Sequence, residues 1–195
     1  MTTSKNENTQ NSDTKLNNVG LSDIEAEKIT RKLAEQGDAE AQFWYGRCYY
    51  EGWGVEPDVE ESINWMRKAA EQGYAEAQYW LAAILNERSN STTDEELKWL
   101  NKAAKQGHTE AQWTLGGYYL DMKSDAADKK AVKLLKKAAK KGYDNAQTSL
   151  GICYLQGIGL EKDARKGVNL LLKAAEQGCE EAEDILNELV RNYDK

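Results

Sequence analysis

Proline, phenylalanine and histidine each occur once in this chain, and no apolar run approaches the ~18–20 residues that a bilayer-crossing helix requires. Such scarcity of proline suits uninterrupted helices, with aromatic packing left to ten Tyr and six Trp. A single His, with no paired thiolates at metal spacing and no Ser/His/Asp set, assembles neither a zinc site nor a catalytic triad. No catalytic residue, metal or cofactor is therefore expected. Three cysteines, an odd count, fit reduced thiols better than a disulfide framework. The opening residues Met1 to Gln10 contain no apolar segment of the secretory kind, so the cytoplasm is the expected location and no membrane association is foreseen. A formal charge of −7 and a pI near 5.0 disfavour nucleic acid, which requires clustered positive charge.

What the chain has in quantity is a repeated string. Ala103-Ala104-Lys105-Gln106-Gly107-His108-Thr109-Glu110-Ala111-Gln112 has close copies beginning at Ala69, Ala138 and Ala174, and a degraded one at Leu33. The anchoring glycines, Gly37, Gly73, Gly107, Gly142 and Gly178, fall 36, 34, 35 and 36 residues apart. A period near ~35 residues is the mark of a repeat array.

Residues 1–20 are rich in Asn, Thr and Ser and read as a disordered tail that cannot bury enough apolar surface to offset ordering entropy. Ser22 and Glu25 then form a capping-box pattern. A helix follows to about Gln36, with Ile24, Ile29 and Leu33 as its apolar positions, and acts as an N-terminal cap. The first full unit predicts a helix over Ala39–Glu51, with Ala41, Tyr45, Cys48 and Tyr49 on one face. Gly52-Trp53-Gly54-Val55-Glu56-Pro57 stops it, Asp58 caps the next helix, and Gly73 ends that one as a left-handed stop. Later units repeat the scheme over about 74–86, 93–106, 108–122, 126–141, 143–156 and 163–177, with a closing helix over about 180–192. Thr93 and Glu96 form another capping box, and a turn is expected through Glu87 to Thr92.

Small residues recur where helices should approach closely. They are the alanine pairs before each glycine and, in the first helices, Gly46, Ala82, Gly116 and Gly151. Glycine costs ~1 kcal/mol against alanine mid-helix, so its recurrence implies tight crossing. Four residues before each alanine pair, Trp65, Trp99, Leu134 and Leu170 are expected to fill the space between the two helices of a unit.

Ala41-Gln42-Phe43, Tyr45-Gly46, Tyr49, Gly52, Gly54-Val55, Asp58, Trp65 and Lys68-Ala69-Ala70-Glu71-Gln72-Gly73 resemble the Sel-one-like repeat, a relative of the tetratricopeptide repeat. The resemblance covers about residues 34–188. It implies an all-α, right-handed α-solenoid of antiparallel helix pairs, about four repeats plus capping helices, occupying residues 21–195. Departures are the lost Gly-x-Gly turns of the second and third units and Leu134 and Leu170 where Trp is usual. Family members are adaptors rather than catalysts, so the implied function is a non-enzymatic scaffold binding another protein on its concave face. The alternative is an immunity protein that neutralises a cytoplasmic toxin, after short stand-alone members. Secreted members often carry cysteines seven apart within a repeat, a pattern this chain lacks.

Among chemically active side chains, His108 reads as a variable helix-start residue. Cys179, at a helix N-terminus, reads as an incidental thiol, and Cys48 and Cys153, at one repeat position, as small core residues. Lys129, Lys130, Lys133, Lys136, Lys137, Lys140 and Lys141 form a solvated convex face or, alternatively, a site for an acidic partner. Residues 34–100 carry fourteen acidic and five basic side chains, a polarity that steers charged partners. Trp44 and Trp80 occupy a first-helix position that later units give to Thr114 and Ser149, so the repeat does not demand them. With Arg47, Glu51, Glu87 and Asp121 on the same ridge, they are the candidate partner-binding residues of an aromatic, acidic groove suited to a basic or amphipathic peptide.

Overall fold

A computed structural model describes residues 22–89 and 92–193. The expected disordered tail, residues 1–20, lies outside the described residues, as do Asn90 and Ser91 of the turn expected between Glu87 and Thr92. Among the described residues there are ten α-helices and no strand: α1 (Asp23–Glu35), α2 (Ala39–Glu51), α3 (Val59–Glu71), α4 (Ala75–Arg88), α5 (Asp94–Gln106), α6 (Thr109–Asp121), α7 (Asp125–Lys140), α8 (Asp144–Gln156), α9 (Ala164–Ala175) and α10 (Glu180–Tyr193). The fold class is the all-α helix-pair repeat of solenoids. The chain divides into two units, residues 1–77 and 78–195, described separately below.

In the first unit the helix starts are set by short polar side chains. Ser22 accepts from the Glu25 amide at 3.4 Å while the Glu25 carboxylate accepts from the Ser22 amide at 3.0 Å, completing the capping box read from the sequence. Asp38 accepts from the Ala41 amide at 2.7 Å, and Asp58 from the amides of Glu60 and Glu61 at 2.9 and 3.1 Å. The helix α2 stops at Gly52 (φ +78), whose added Cβ would lie 2.9 Å from the Pro57 ring.

The face that α1 buries differs from the expected one. Ile24, Ile29 and Leu33 are 57%, 47% and 45% exposed, whereas Glu27, Thr30 and Ala34 are buried. The reason lies at Ala34: its carbonyl accepts from the buried Gln42 side-chain amide at 3.2 Å. Residues 27, 30 and 34 share its helical face at three- and four-residue spacing. In this unit Ala34, Ala41, Tyr45 and Cys48 form a core, with Tyr49, Val55 and Trp65 packed at its edge.

Helix α3 crosses α2 at Gly46, where a Cβ would sit 2.8 Å from Met66 Cγ and 3.1 Å from the Ser62 carbonyl oxygen. The space between the helices is therefore filled by Met66, fully buried, rather than by Trp65. In the second unit Trp99 is buried as expected, beside Leu100, and the one-residue displacement holds at the two later leucine positions. Leu100, Leu135 and Leu171 are the deeply buried side chains, Leu135 facing Gly116 and Leu171 facing Gly151, while Leu134 and Leu170 are half-buried. The tryptophans at the neighbouring position carry lysines on their faces. Lys68 Nζ lies 3.6 Å from the Trp65 ring centre, and Lys102 Nζ 4.2 Å from that of Trp99.

The second unit holds one core around Val132, Leu135, Ala138, Ala139, Ala146, Leu150 and Cys153, and a further one around Leu171, Ala174, Cys179 and Ala182. Burial pushes the Cys153 thiol up to about 11, so it stays protonated as a small core residue. The turn at Gly157 and Gly159 repeats that at Gly52 and Gly54. Ile158 and Trp53 amides both donate to a cysteine carbonyl at 3.0 Å, and Asp163 and Asp58 amides to a tyrosine carbonyl at 2.9 Å. Between α6 and α7, where the Gly-x-Gly signal is lost, Lys123 takes a left-handed backbone (φ +48) and Ser124 caps α7.

Two classes of contact span successive repeats, and both use residues of the repeated string. Gln72 donates its side-chain amide to the Gln42 carbonyl oxygen at 2.8 Å and to the Gly37 carbonyl at 3.0 Å. Gln106 donates likewise to Gln78 at 2.9 Å, and Gln177 to Gln147 at 2.9 Å. At the one repeat where lysine replaces this glutamine, Lys141 Nζ reaches only the Gly107 carbonyl. Among the described residues, the buried Gln112 Oε1 is left without a donor. Replacing Lys141 by Gln is expected to satisfy both acceptors, as Gln72 does, and to stabilise the protein by about 1 kcal/mol. Thermal unfolding followed by circular dichroism should show a Tm raised by roughly 2–4 °C; an unchanged or lowered Tm would contradict the role given to the glutamine.

The second class pairs two positions whose residues change from repeat to repeat. The residue after each first-helix glutamine touches the residue after the next glycine. Phe43 lies 5.5 Å from Tyr74, Tyr79 stacks on His108 at 4.6 Å, and Trp113 meets Tyr143 edge-on at 5.8 Å. Thr148 Oγ1 lies 3.4 Å from Cys179 Sγ. His108 is thus a junction residue, and its Nδ1 also accepts from the Ala111 amide at 3.3 Å as the cap of α6. Its role is structural, as is that of the buried Cys179.

Candidate functional site

The candidate residues are positioned by the first helices of the repeats. In the first unit Trp44, Arg47 and Glu51 follow one another along α2 at spacings of three and four, which places them on one ridge. Trp44 is half-buried and meets Phe43 edge-on at 5.1 Å. Phe43 is consumed by the junction with Tyr74, so Trp44 is braced from one side by a residue fixed for packing reasons.

Arg47 is held rather than mobile. Its Nη2 donates to Glu51 Oε1 at 2.9 Å, with side-chain exposures of 11% and 35%, and its guanidinium carbon lies 5.3 Å from the centre of the Trp53 ring. The pair largely neutralises itself, so the ridge in this unit is more aromatic than acidic. Trp53 was not among the residues singled out from the sequence. It is 38% exposed and sits between Gly52 and Gly54. A tryptophan in a two-glycine turn has no helical face to pack on, and that was the available signal.

In the second unit Trp80 is half-buried on α4, its ring 6.4 Å from Tyr79. Glu87, seven residues on, is exposed near the end of the same helix, and Asp121 is exposed as the last residue of α6. Tyr79 is fixed by its stack on His108, so Trp80, like Trp44, stands beside a junction aromatic. The structure thus brings Trp44, Arg47 and Glu51 together in one unit, and places Trp80 and Glu87 on one helix of the other with Asp121 on a different helix. Thr114, at the matching position of α6, is half-buried. Ser149, its counterpart in α8, is used internally, accepting from the Trp113 indole at 3.1 Å and donating to the Asn145 carbonyl at 2.9 Å.

The lysine stretch is distributed over several environments. Lys141 serves the repeat junction, Lys136 lies 5.8 Å from the Tyr154 ring, and Lys130, Lys133 and Lys137 line a groove in the second unit. Among the described residues no cluster of three or more His, Cys, Asp or Glu is placed to hold a metal, and no helix is long and apolar enough to cross a membrane.

Comparison with known proteins accords with this architecture. A protective antigen with an SLR fold from uropathogenic Escherichia coli is 36% identical, with a TM-score of 0.80, over 85% of this chain and 36% of that one. A Sel1 repeat protein from Oxalobacter formigenes is 37% identical, with a TM-score of 0.75, over 86% of this chain and 50% of that one. The chain therefore spans between about a third and a half of the length of these relatives. An immunity protein from Pseudomonas aeruginosa is similar in fold, at 22% identity and a TM-score of 0.56 over 82% of this chain and 60% of that one. No curated protein matches. The Sel1 repeat family matches four times without a gap, at residues 39–74, 75–108, 109–143 and 144–179, the same boundaries at which the glutamine and aromatic junctions recur; the chain belongs to the Sel1 repeat family.

Proposed function

We propose that the chain is a non-enzymatic scaffold that binds another protein through the first-helix tryptophans Trp44 and Trp80 and the residues beside them. Sel1 repeats typically serve protein–protein interaction, and the observation that carries this reading is positional. Two large aromatic side chains, both half-buried, stand where the later repeats manage with Thr114 and Ser149. Packing therefore does not require them, and partly exposed Trp is the side chain most enriched at binding hot spots. Glu87 and Asp121, both exposed, favour a partner with basic side chains. Arg47 and Glu51 hold Trp53 in place and shape the ridge. Likeness to immunity proteins stands at the level of fold, which leaves the scaffold reading as the conclusion.

The test begins with the partner recovered with the full chain from its native cells and purified. Its affinity for the double variant Trp44→Ala/Trp80→Ala is then compared with wild type by calorimetry. The variant is expected to bind at least about tenfold more weakly, each hot-spot truncation costing on the order of 2 kcal/mol, with an unchanged far-ultraviolet circular dichroism spectrum. Equal affinity would remove the tryptophans from the interface. For a toxin-neutralising role, the recovered partner would be a toxin whose lethality the wild-type chain suppresses on co-expression and the double variant does not.

A further inference from the structure

In the second unit a groove of about 270 Å³ runs between α5, α6 and α7. Its floor is apolar: Leu115 and Ala104 are buried, and Leu134 and Tyr119 half-buried. Its rim is cationic, because Lys105, Lys130, Lys133 and Lys137 are all exposed and no carboxylate lines the groove. Lys130 Nζ lies 5.4 Å from the Tyr119 ring, and none of the four lysines forms an ion pair with any described residue.

The geometry points to a binding site for an acidic, amphipathic peptide segment, distinct from the tryptophan ridges. Two features select that occupant. Four uncompensated ammonium groups around one groove repel one another and raise the local concentration of carboxylates. An apolar floor rewards leucine-like side chains, which a phosphate polymer does not offer. Lys130, Lys133 and Lys137 fall at three- and four-residue spacing on one face of α7, so they meet a ligand together. Lys105 lines the groove from α5 and Tyr119 from α6.

The probe is a short fluorescein-labelled peptide in which glutamates surround two leucines one helical turn apart, followed by anisotropy with the full chain. Saturable binding is expected. It should weaken at least about tenfold in Lys133→Glu/Lys137→Glu, to a smaller degree in Lys133→Gln/Lys137→Gln should charge reversal impair folding, and steeply as salt is raised. The pair Lys129→Glu/Lys140→Glu, exposed on the same helix outside the groove, should leave it nearly unchanged. So should Trp44→Ala/Trp80→Ala, which separates this site from the scaffold reading. Absence of binding would overturn the proposal. So would equal loss in Lys129→Glu/Lys140→Glu, which would mean diffuse attraction, or equally tight binding when the leucines are replaced by serine. Binding to anionic phosphatidylglycerol vesicles without binding to the peptide would assign the groove to a lipid surface instead.

Discussion

Replacing Gly159 by Ala is expected to destabilise the protein by about 3 kcal/mol, whereas Gly142→Ala should cost only about 1 kcal/mol. Both glycines have a left-handed backbone, φ +67 and +89, so both substitutions incur the strain that an L side chain meets there. They differ in their surroundings. A Cβ on Gly142 meets nothing within 4 Å, but one on Gly159 would stand 2.5 Å from both the carbonyl carbon and oxygen of Asp128 and 3.0 Å from its Cβ. That obstacle is the backbone of the first turn of α7, which cannot rotate aside. The loop must lift instead, and Ile158 and Leu160 on either side of Gly159 are packed against the core formed by α7 and α8. Thermal unfolding of the two variants, compared with wild type, isolates the steric part of the cost as their difference. Equal losses would show that the turn does not rest on α7 as described.

That contact also explains why the repeat boundaries were legible in the sequence while the packing between them was only half so. Caps act within three or four residues, so Ser22 with Glu25, Asp58, and Thr93 with Glu96 announce themselves locally. Glycine stops are local as well. The depth of a side chain is not local. Neighbouring positions on a helix differ by about 100°, and choosing Trp65 over Met66, or Leu134 over Leu135, turned on which helix lies opposite. In the first unit the deepest position belongs to the smaller residue, Met66, because it faces Gly46, and in the second the two leucines are told apart only by which of them faces Gly116. In α1 the apolar residues themselves misled. Ile24, Ile29 and Leu33 are exposed, since the grip of Gln42 on the Ala34 carbonyl fixes the opposite face inward.

The candidate site divides in the same way. Trp44 and Trp80 stood out as exceptions to a repeat, which is a comparison internal to the sequence. The pairs Phe43–Tyr74, Tyr79–His108, Trp113–Tyr143 and Thr148–Cys179 did not, because each joins residues about thirty positions apart whose identities change together. Viewed singly, such positions look merely variable. The lysine run of α7 was conspicuous, yet Lys105, Leu115 and Tyr119, which turn part of that run into a groove, come from two other helices.

Replacing Glu96 by Ala is expected to cost about 2–3 kcal/mol. Glu96 is 2% exposed, and its carboxylate is the shared acceptor of three elements. Oε2 accepts from the Thr93 amide at 3.3 Å in the capping box of α5, and Oε1 accepts from the Asn86 side-chain amide of α4 at 3.1 Å and from the Tyr118 hydroxyl of α6. Asn86 donates to the Tyr118 oxygen as well, at 2.9 Å. Burying a carboxylate with no cation beside it is costly, which raises the question of sign: removing it relieves that cost. The α5 N-terminus offsets part of it, and truncation to Ala takes this acceptor from the half-buried Thr93 and Tyr118, while the exposed Asn86 amide can turn to water. The penalty for the two half-buried donors, about 1–3 kcal/mol each where water is excluded, exceeds the desolvation regained. Burial, and then the hydrogen bond to Glu96, hold the Tyr118 phenol above its ordinary range, so it remains a donor at neutral pH and cannot adapt by ionising. Glu96→Gln keeps the shape and one acceptor, and should lose about half as much. Chemical denaturation of Glu96→Ala, Tyr118→Phe and the double variant closes a thermodynamic cycle, with a coupling of at least about 1 kcal/mol expected. Additive losses, or a Glu96→Ala variant as stable as wild type, would show that the three helices are held by apolar packing alone.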